Sequence, residues 1–150
     1  MFARLLRAHG TLMRELEARL VADHGLTISD FETLLHLSHE QDHRMRRVDL
    51  ADRLALTPSG VTRLLDGLTQ EGFVEKASCP TDARVSYAVL TAAGRALLAA
   101  AAQTNDGTCR ELIGGRLSPA ELEELSSLLG RLPTVGDVDG SGCAGGGLPA

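Results

Sequence analysis

The stretch from Val48 to Gly72, "VDLADRLALTPSGVTRLLDGLTQEG", constrains this chain more than any other. Leu50 and Leu54 lie one helical turn apart. Only Ala55, Leu56 and Thr57 follow before Pro58 opens a second apolar period of Val61, Leu64, Leu65 and Leu68. Thr57 is a good N-cap, and proline suits the first helical position because its missing N–H has no helical partner there. Two helices joined by so short a turn read as a helix-turn-helix. Ala51 is small enough for the helices to approach closely. Leu50, Leu54, Leu56, Val61 and Leu64 are expected to fill the space between them. Ala55 stands where the turn calls for a left-handed residue, usually glycine, and it is expected to carry strain of roughly 1 kcal/mol there.

On either side the pattern is mostly helical. Phe2, Leu5, Leu6, His9, Leu12, Met13, Leu16 and Leu20 recur at helical spacing, and Gly25 after His24 fits a C-cap. "SDFE" from Ser29 has capping-box spacing and opens a second helix with Phe31, Leu34, Leu35 and Leu37 on its apolar face. Gln41 to Arg46 reads as a polar connection. After Gly72, "FVEKA" and "VSYAVL" alternate like strands of a hairpin. Thr91 caps an Ala-rich helix to about Ile113, with Asn105-Asp106-Gly107 as a point where it is expected to kink or loosen. Ser118, Pro119 and Glu121 start a last helix lined by Leu122, Leu125, Leu128, Leu129 and Leu132. Residues 133–150 are Gly-rich, too poor in apolar surface to offset their ordering entropy, and are expected to be a disordered tail.

Composition narrows the class. No Trp, one Tyr and three Phe imply an aliphatic core, which favours packed helices. Twenty acids against fifteen Lys and Arg give a net charge of −5, so the total does not announce a nucleic-acid binder. Binding depends on distribution, however, and Arg44, Arg46, Arg47, Arg53 and Arg63 cluster in the middle while Asp49, Asp52 and Asp66 dilute them. The three cysteines, Cys79, Cys109 and Cys143, lack CxxC spacing and do not suggest a disulfide or zinc scaffold. "MFARLLRAHG" lacks the apolar core of a signal peptide, and no apolar run could span a bilayer; the expectation is a cytoplasmic protein. Without a phosphate loop, a G-x-S-x-G elbow or an HExxH motif, no enzyme is expected and no cofactor is implied.

The exposed positions of the second motif helix are Ser59, Gly60, Thr62, Arg63 and Asp66. Short polar residues at a helix N-terminus permit close approach to a major groove, and Arg63 suits guanine or phosphate. The hairpin that follows, "CPTDARVSYAVLT", places Asp82 and Arg84 near its tip. A ribbon directly after a recognition helix makes the unit a winged helix.

At this point "LADRLALTPSGVTRLLDGLTQEGFVEK" and "DARVSYAVLTAAG" together resemble the MarR-type transcriptional regulators, over about Phe2 to Leu132. The resemblance implies a mainly α fold with a small β-wing, in a single domain over 1–132. A winged helix-turn-helix lobe at about 45–91 would join dimerisation helices at about 2–24 and 92–132. It implies a homodimer on double-stranded DNA, acting as a repressor released from a pseudo-palindromic operator by a small-molecule effector. Thr57, Ser59, Gly60, Thr62 and Arg63 would face the major groove, Arg84 would enter the minor groove, and Asp82 would help fix its direction. Gly67 departs from the family's frequent basic residue and removes one phosphate contact. The alternative is a winged-helix module that dimerises and binds proteins without reading DNA.

Effectors in such a family include phenolic and other aromatic anions, oxidants and metals. Met1 to Leu20 holds no cysteine for the family's peroxide chemistry. Cys79 reads as an incidental thiol and Cys109 as buried packing. His36, His39 and His43 lie on one side of the second helix and are candidate metal ligands, yet the helix after the wing has no His to complete a zinc sensor's set. His9 interrupts the apolar face of the first helix. It is a candidate hydrogen-bond donor to an anionic effector, in a pocket where the first, second and fifth helices would meet the lobe, set against a histidine satisfied within the dimer core.

Overall fold

The computed structural model describes residues 2–79, 82 and 84–132. The expected disordered tail at 133–150 lies outside the described residues. The chain runs α1 (Phe2–His24), α2 (Ile28–His39), a 3-10 turn (Gln41–His43), β1 (Arg44–Arg46), α3 (Arg47–Leu54) and α4 (Pro58–Gln70). It continues as β2 (Val74–Ser78), β3 (Ser86–Leu90), α5 (Ala92–Cys109), a π-helical turn (Arg110–Gly114) and α6 (Pro119–Leu129). None of these helices is long and apolar enough to cross a membrane.

The helix boundaries follow local chemistry. Gly25 ends α1 with φ +68°, and Gly72 turns the chain after α4 with φ +79°. Ser118 and Glu121 form the expected capping box of α6, with Pro119 at its first position. At α2 the box sits two residues earlier than the sequence alone suggested. The Thr27 hydroxyl accepts from the Asp30 N–H at 3.1 Å, and the Asp30 carboxylate accepts from the Thr27 N–H at 2.9 Å. A contact from another helix helps fix this start: Glu17 of α1 accepts the Ile28 N–H at 2.8 Å.

Two further expectations are corrected. The presumed connection Gln41 to Arg46 contains a strand, and the sheet order is β1-β3-β2, antiparallel throughout. Met45 is buried against Ala88 while Arg44 and Arg46 point outward, so a three-residue strand carries a single inward side chain. Cys109, expected to pack inside, is exposed. The α-helix passes through Asn105-Asp106-Gly107, and the irregularity falls one turn later, at the π-helical turn.

The core is aliphatic, as the scarcity of aromatics required. Leu20, Leu34, Leu37, Leu50 and Leu65 are fully buried, joined by Val61, Val74, Ala88 and Leu90. Of the expected helix-turn-helix filling, Leu50 and Val61 are buried, while Leu54, Leu56 and Leu64 pack half-buried against them. Thr91 caps α5 by accepting the Gly94 N–H at 3.0 Å, and its own N–H donates to the Phe73 carbonyl at 3.1 Å. Gly94 has to be glycine: a Cβ there would sit 2.2 Å from the Phe73 carbonyl oxygen. The root of the wing is thus locked to the start of α5. Arg19 pairs with Glu111 at 2.7 Å and His24 Nε2 lies 2.8 Å from Thr104 Oγ1, tying α1 to α5 and the π turn.

The ends of the chain are less covered. Phe2, Leu5 and Leu6 at the start of α1 are exposed, and α6 buries no residue at all. Its apolar face, Leu125, Leu128 and Leu129, continues into Leu132 and is 37–49 % exposed.

Candidate nucleic-acid interface

The interface is built on the turn between α3 and α4. Ala55 closes α3 in the left-handed conformation, φ 51° and ψ 38°, as its position in the motif required. Its N–H still donates to Asp52 O at 3.2 Å. Thr57 then caps α4, its hydroxyl accepting the Gly60 N–H at 3.1 Å. Gly60 keeps this cap open, since a Cβ would press on Thr57 Oγ1 at 3.2 Å. Thr57, Ser59 and Arg63 are exposed on the free side of α4, and Gly60 and Thr62 are half-buried.

Thr62, expected among the exposed polar positions, is half-buried and hydrogen-bonded within the chain. It donates to the Pro58 carbonyl at 2.8 Å and accepts from the Arg47 guanidinium. Its O–H donor and one of its two lone pairs are therefore committed within the chain, so for any outward contact it keeps one acceptor position and its methyl group.

In the wing, the Cys79 N–H donates to Val85 O at 3.0 Å, and the tip closes with the Val85 N–H on Asp82 O at 3.0 Å. The Asp82 carboxylate accepts the Arg84 backbone N–H at 2.9 Å. It meets the main chain of Arg84; among the described residues no ion pair joins it to the guanidinium. Asp82 orients the tip backbone, and the Arg84 side chain is exposed.

Charge pairing sorts the cations of the lobe. Arg46 is held by Asp49 through two bonds of 2.7 Å. Arg53 pairs with Glu40 at 2.8 Å and Arg44 lies 3.9 Å from Asp42, with its guanidinium 5.3 Å from the Tyr87 ring centre. Lys76 of β2 bonds Asp66 of α4, and that hydrogen bond holds the Asp66 carboxyl below its usual range. Among the described residues, Arg47, Arg63 and Arg84 stand in no such pair. Arg47 is a functional candidate that the sequence alone left in the general basic cluster. Nothing in its spacing marks it; only the three-dimensional pairing of its neighbours does.

The candidate effector and metal residues do not come together. His9 is exposed on α1, and two cavities lie on the winged lobe, away from it. His43 sits beyond the end of α2 with φ 51°, its Nδ1 3.2 Å from the Ser38 carbonyl, whereas His36 is half-buried on the helix. Burial, aided by the Arg53 charge, pushes the His36 pKa down. No cluster of three or more His, Cys, Asp or Glu among the described residues is arranged to hold a metal ion.

Known proteins place this architecture. Residues 24–85 match the model of the MarR family. The chain is 38 % identical over 77 residues to the HTH-type transcriptional repressor YetL of Bacillus subtilis; the match covers 51 % of this chain and 46 % of that protein. It superposes on AbsC, a MarR family transcriptional regulator from Streptomyces coelicolor, with a TM-score of 0.77 and 29 % identity, over 85 % of this chain and 86 % of that one. Sco3205, a MarR family regulator from the same organism solved in complex with DNA, gives a TM-score of 0.79 and 25 % identity over 89 % and 86 %. These relatives are transcriptional regulators rather than enzymes. With the helix-turn-helix, the three-stranded sheet and the flanking helices all in place, the chain has the winged-helix fold of these MarR family transcriptional regulators, and residues 24–85 carry the sequence match to that family.

Proposed function

We propose that this regulator acts as a homodimer that binds a pseudo-palindromic DNA operator and represses transcription until a small-molecule effector releases it. The observation that carries the DNA reading is the placement of unpaired guanidiniums, Arg63 on α4 and Arg84 at the wing tip, on two elements that grip adjacent grooves in a winged helix. Sco3205 in its DNA complex supports the same use of this fold. Homodimerisation is supported by the uncovered apolar faces of α1 and α6, which a second copy of the chain would bury. YetL's description as a repressor supports the direction of control, and the family resemblance supports the effector, with phenolic or other aromatic anions as the class to screen first.

The test is a binding titration on DNA selected by the protein from a random duplex pool, repeated across a salt series. Specific binding whose logarithm falls linearly with the logarithm of salt supports the reading. Absence of any sequence preference at low salt would overturn it in favour of a protein-interaction module. Sedimentation at the same concentrations reads the dimer independently.

A further inference from the structure

If α4 lies in a major groove and the wing tip enters the neighbouring minor groove, one sugar–phosphate strand must pass between them. That strand divides the two grooves of B-DNA. In this chain the space between them is an open cleft of about 420 Å³. Arg47 and Val48 of α3, Pro58 and Thr62 of α4, and Arg84 and Val85 of the wing line it. We infer that this cleft seats the dividing DNA strand and that Arg47 is the phosphate ligand within it. The inference rests on the DNA-binding reading and adds a residue and a path to it.

The walls suit the two halves of a nucleotide backbone. Val48 is an apolar side chain 63 % exposed at the start of α3, and it lines the cleft with Pro58 and Val85. Deoxyribose is the part of the backbone that such a wall can accept. The phosphate needs a cation. Arg46 also lines the cleft, but Asp49 already holds it on two bonds. Arg84 is at the tip, committed to the groove beyond. Arg47 remains. One of its terminal nitrogens donates to Thr62, its Nε is out of solvent with no acceptor, and no carboxylate among the described residues is within ion-pair distance. Asp52 lines the cleft as well, yet forms no pair with it, and Asp66 feels the Arg47 charge only at a distance. A guanidinium with no carboxylate partner at the edge of an open cleft is matched by a phosphate, whose oxygens would accept from its remaining terminal N–H groups. The bond from Arg47 to Thr62 then ties the phosphate contact to the recognition helix, so that seating the strand sets the depth of α4 in the groove.

The experiment compares the wild-type protein with Arg47→Met, Arg47→Lys and Arg53→Met on one selected duplex and on mismatched versions of it, across a salt series. Arg47→Met is expected to weaken binding about tenfold on matched and mismatched duplexes alike. It should also flatten the log–log salt slope by about 0.9 for each phosphate that is no longer neutralised, hence by about two for a dimer. Arg47→Lys keeps the charge and should keep most of the slope. Arg53→Met removes the same charge from a residue paired with Glu40 outside the cleft, and the slope should stay at the wild-type value. A wild-type slope in Arg47→Met overturns the inference, as does an equal flattening by Arg53→Met. If Arg47→Met does not fold by circular dichroism, Val48→Asp puts a negative charge on the cleft wall instead. It should weaken binding at low salt by about tenfold or more, and unchanged affinity overturns the proposal. Failure of the wild-type protein to bind any duplex is a separate result, which removes the DNA reading itself.

Discussion

Ala55→Gly should stabilise this protein, against the usual rule that glycine weakens a helical chain. Ala55 is exposed and left-handed, with φ 51° and ψ 38°. An L-residue pays roughly 1–2 kcal/mol for that conformation because its Cβ crowds the following carbonyl. Glycine removes the strain but adds freedom to the unfolded chain, worth about 0.4–1 kcal/mol in the opposite direction. The net expectation is a gain of about 0.5–1 kcal/mol. The methyl group is exposed, so little packing goes with it, and the hydrogen bond from its N–H to Asp52 O is kept. For a chain of 150 residues the unfolding entropy near the midpoint is about 0.3 kcal/mol/K, so the Tm should rise by about 2–3 °C. Cooperative unfolding of a dimer doubles both quantities and leaves the shift unchanged. Thermal unfolding followed by circular dichroism is the assay. Ala100→Gly, on an exposed face inside α5, supplies the contrast: it should lower the Tm by about 3 °C, since glycine there costs about 1 kcal/mol. A fall in Tm for both variants would refute the argument that the turn stores strain at Ala55.

Gly94→Ala should be among the most damaging small substitutions, because its Cβ would meet the Phe73 carbonyl oxygen at 2.2 Å. A loss of about 1–3 kcal/mol in urea unfolding is expected, as for other overpacked sites, and a wild-type midpoint would contradict the close approach. His36 gives a pH signature. Burial lowers its pKa in the folded state, so the unfolded chain takes up the proton first as pH falls. Its contribution is complete above the ordinary value of 6.5 and is lost as pH falls from there through the folded pKa. His36→Gln should flatten the loss of stability as pH falls below the ordinary value of 6.5, and an unchanged profile by urea midpoint would rule the histidine out. Arg84→Ala should weaken operator binding while sedimentation still reports the same assembly; equal affinity would remove the wing from the contact.

The parts of this molecule that were legible in the sequence are those whose causes are local. Thr57 and Pro58 start α4 by themselves, Ser118 and Glu121 start α6, and the left-handed Ala55 follows from the length of the turn. What escaped depends on contacts between distant segments. "TISD" and "SDFE" offer overlapping caps for α2, and part of what sets the true start is Glu17, eleven residues earlier on another helix. β1 is a strand because β3 lies beside it, and Met45 alone shows no alternation. Cys109 reads as a packing residue on an apolar helix, but it falls on an exposed face of α5, while the adjacent Thr108 takes the buried one. The same holds for the candidate site. Thr62 reads as an exposed polar residue, but its hydroxyl bonds Arg47 and Pro58, and Asp82, expected to help direct Arg84, holds its backbone N–H.

This pairing also bears on how a chain with a net charge of −5 would offer a surface to DNA, as proposed. Counter-ions and water screen charges beyond about 8 Å at physiological ionic strength, so the acids of α6 weigh little at the wing. Inside the lobe the acids do something more selective than lower a total. Asp42, Asp49, Glu40 and Asp66 each hold one cation, namely Arg44, Arg46, Arg53 and Lys76. The remainder is three guanidiniums, one on the recognition helix, one at the wing tip and one in the cleft between them. A uniformly basic lobe would bind any duplex along its whole face. Cations confined to three points bind well only where a groove, the next groove and the strand between them all fall in register. On the proposed DNA reading, the acidic residues that seemed to argue against nucleic acid in the sequence would restrict the contact to that arrangement.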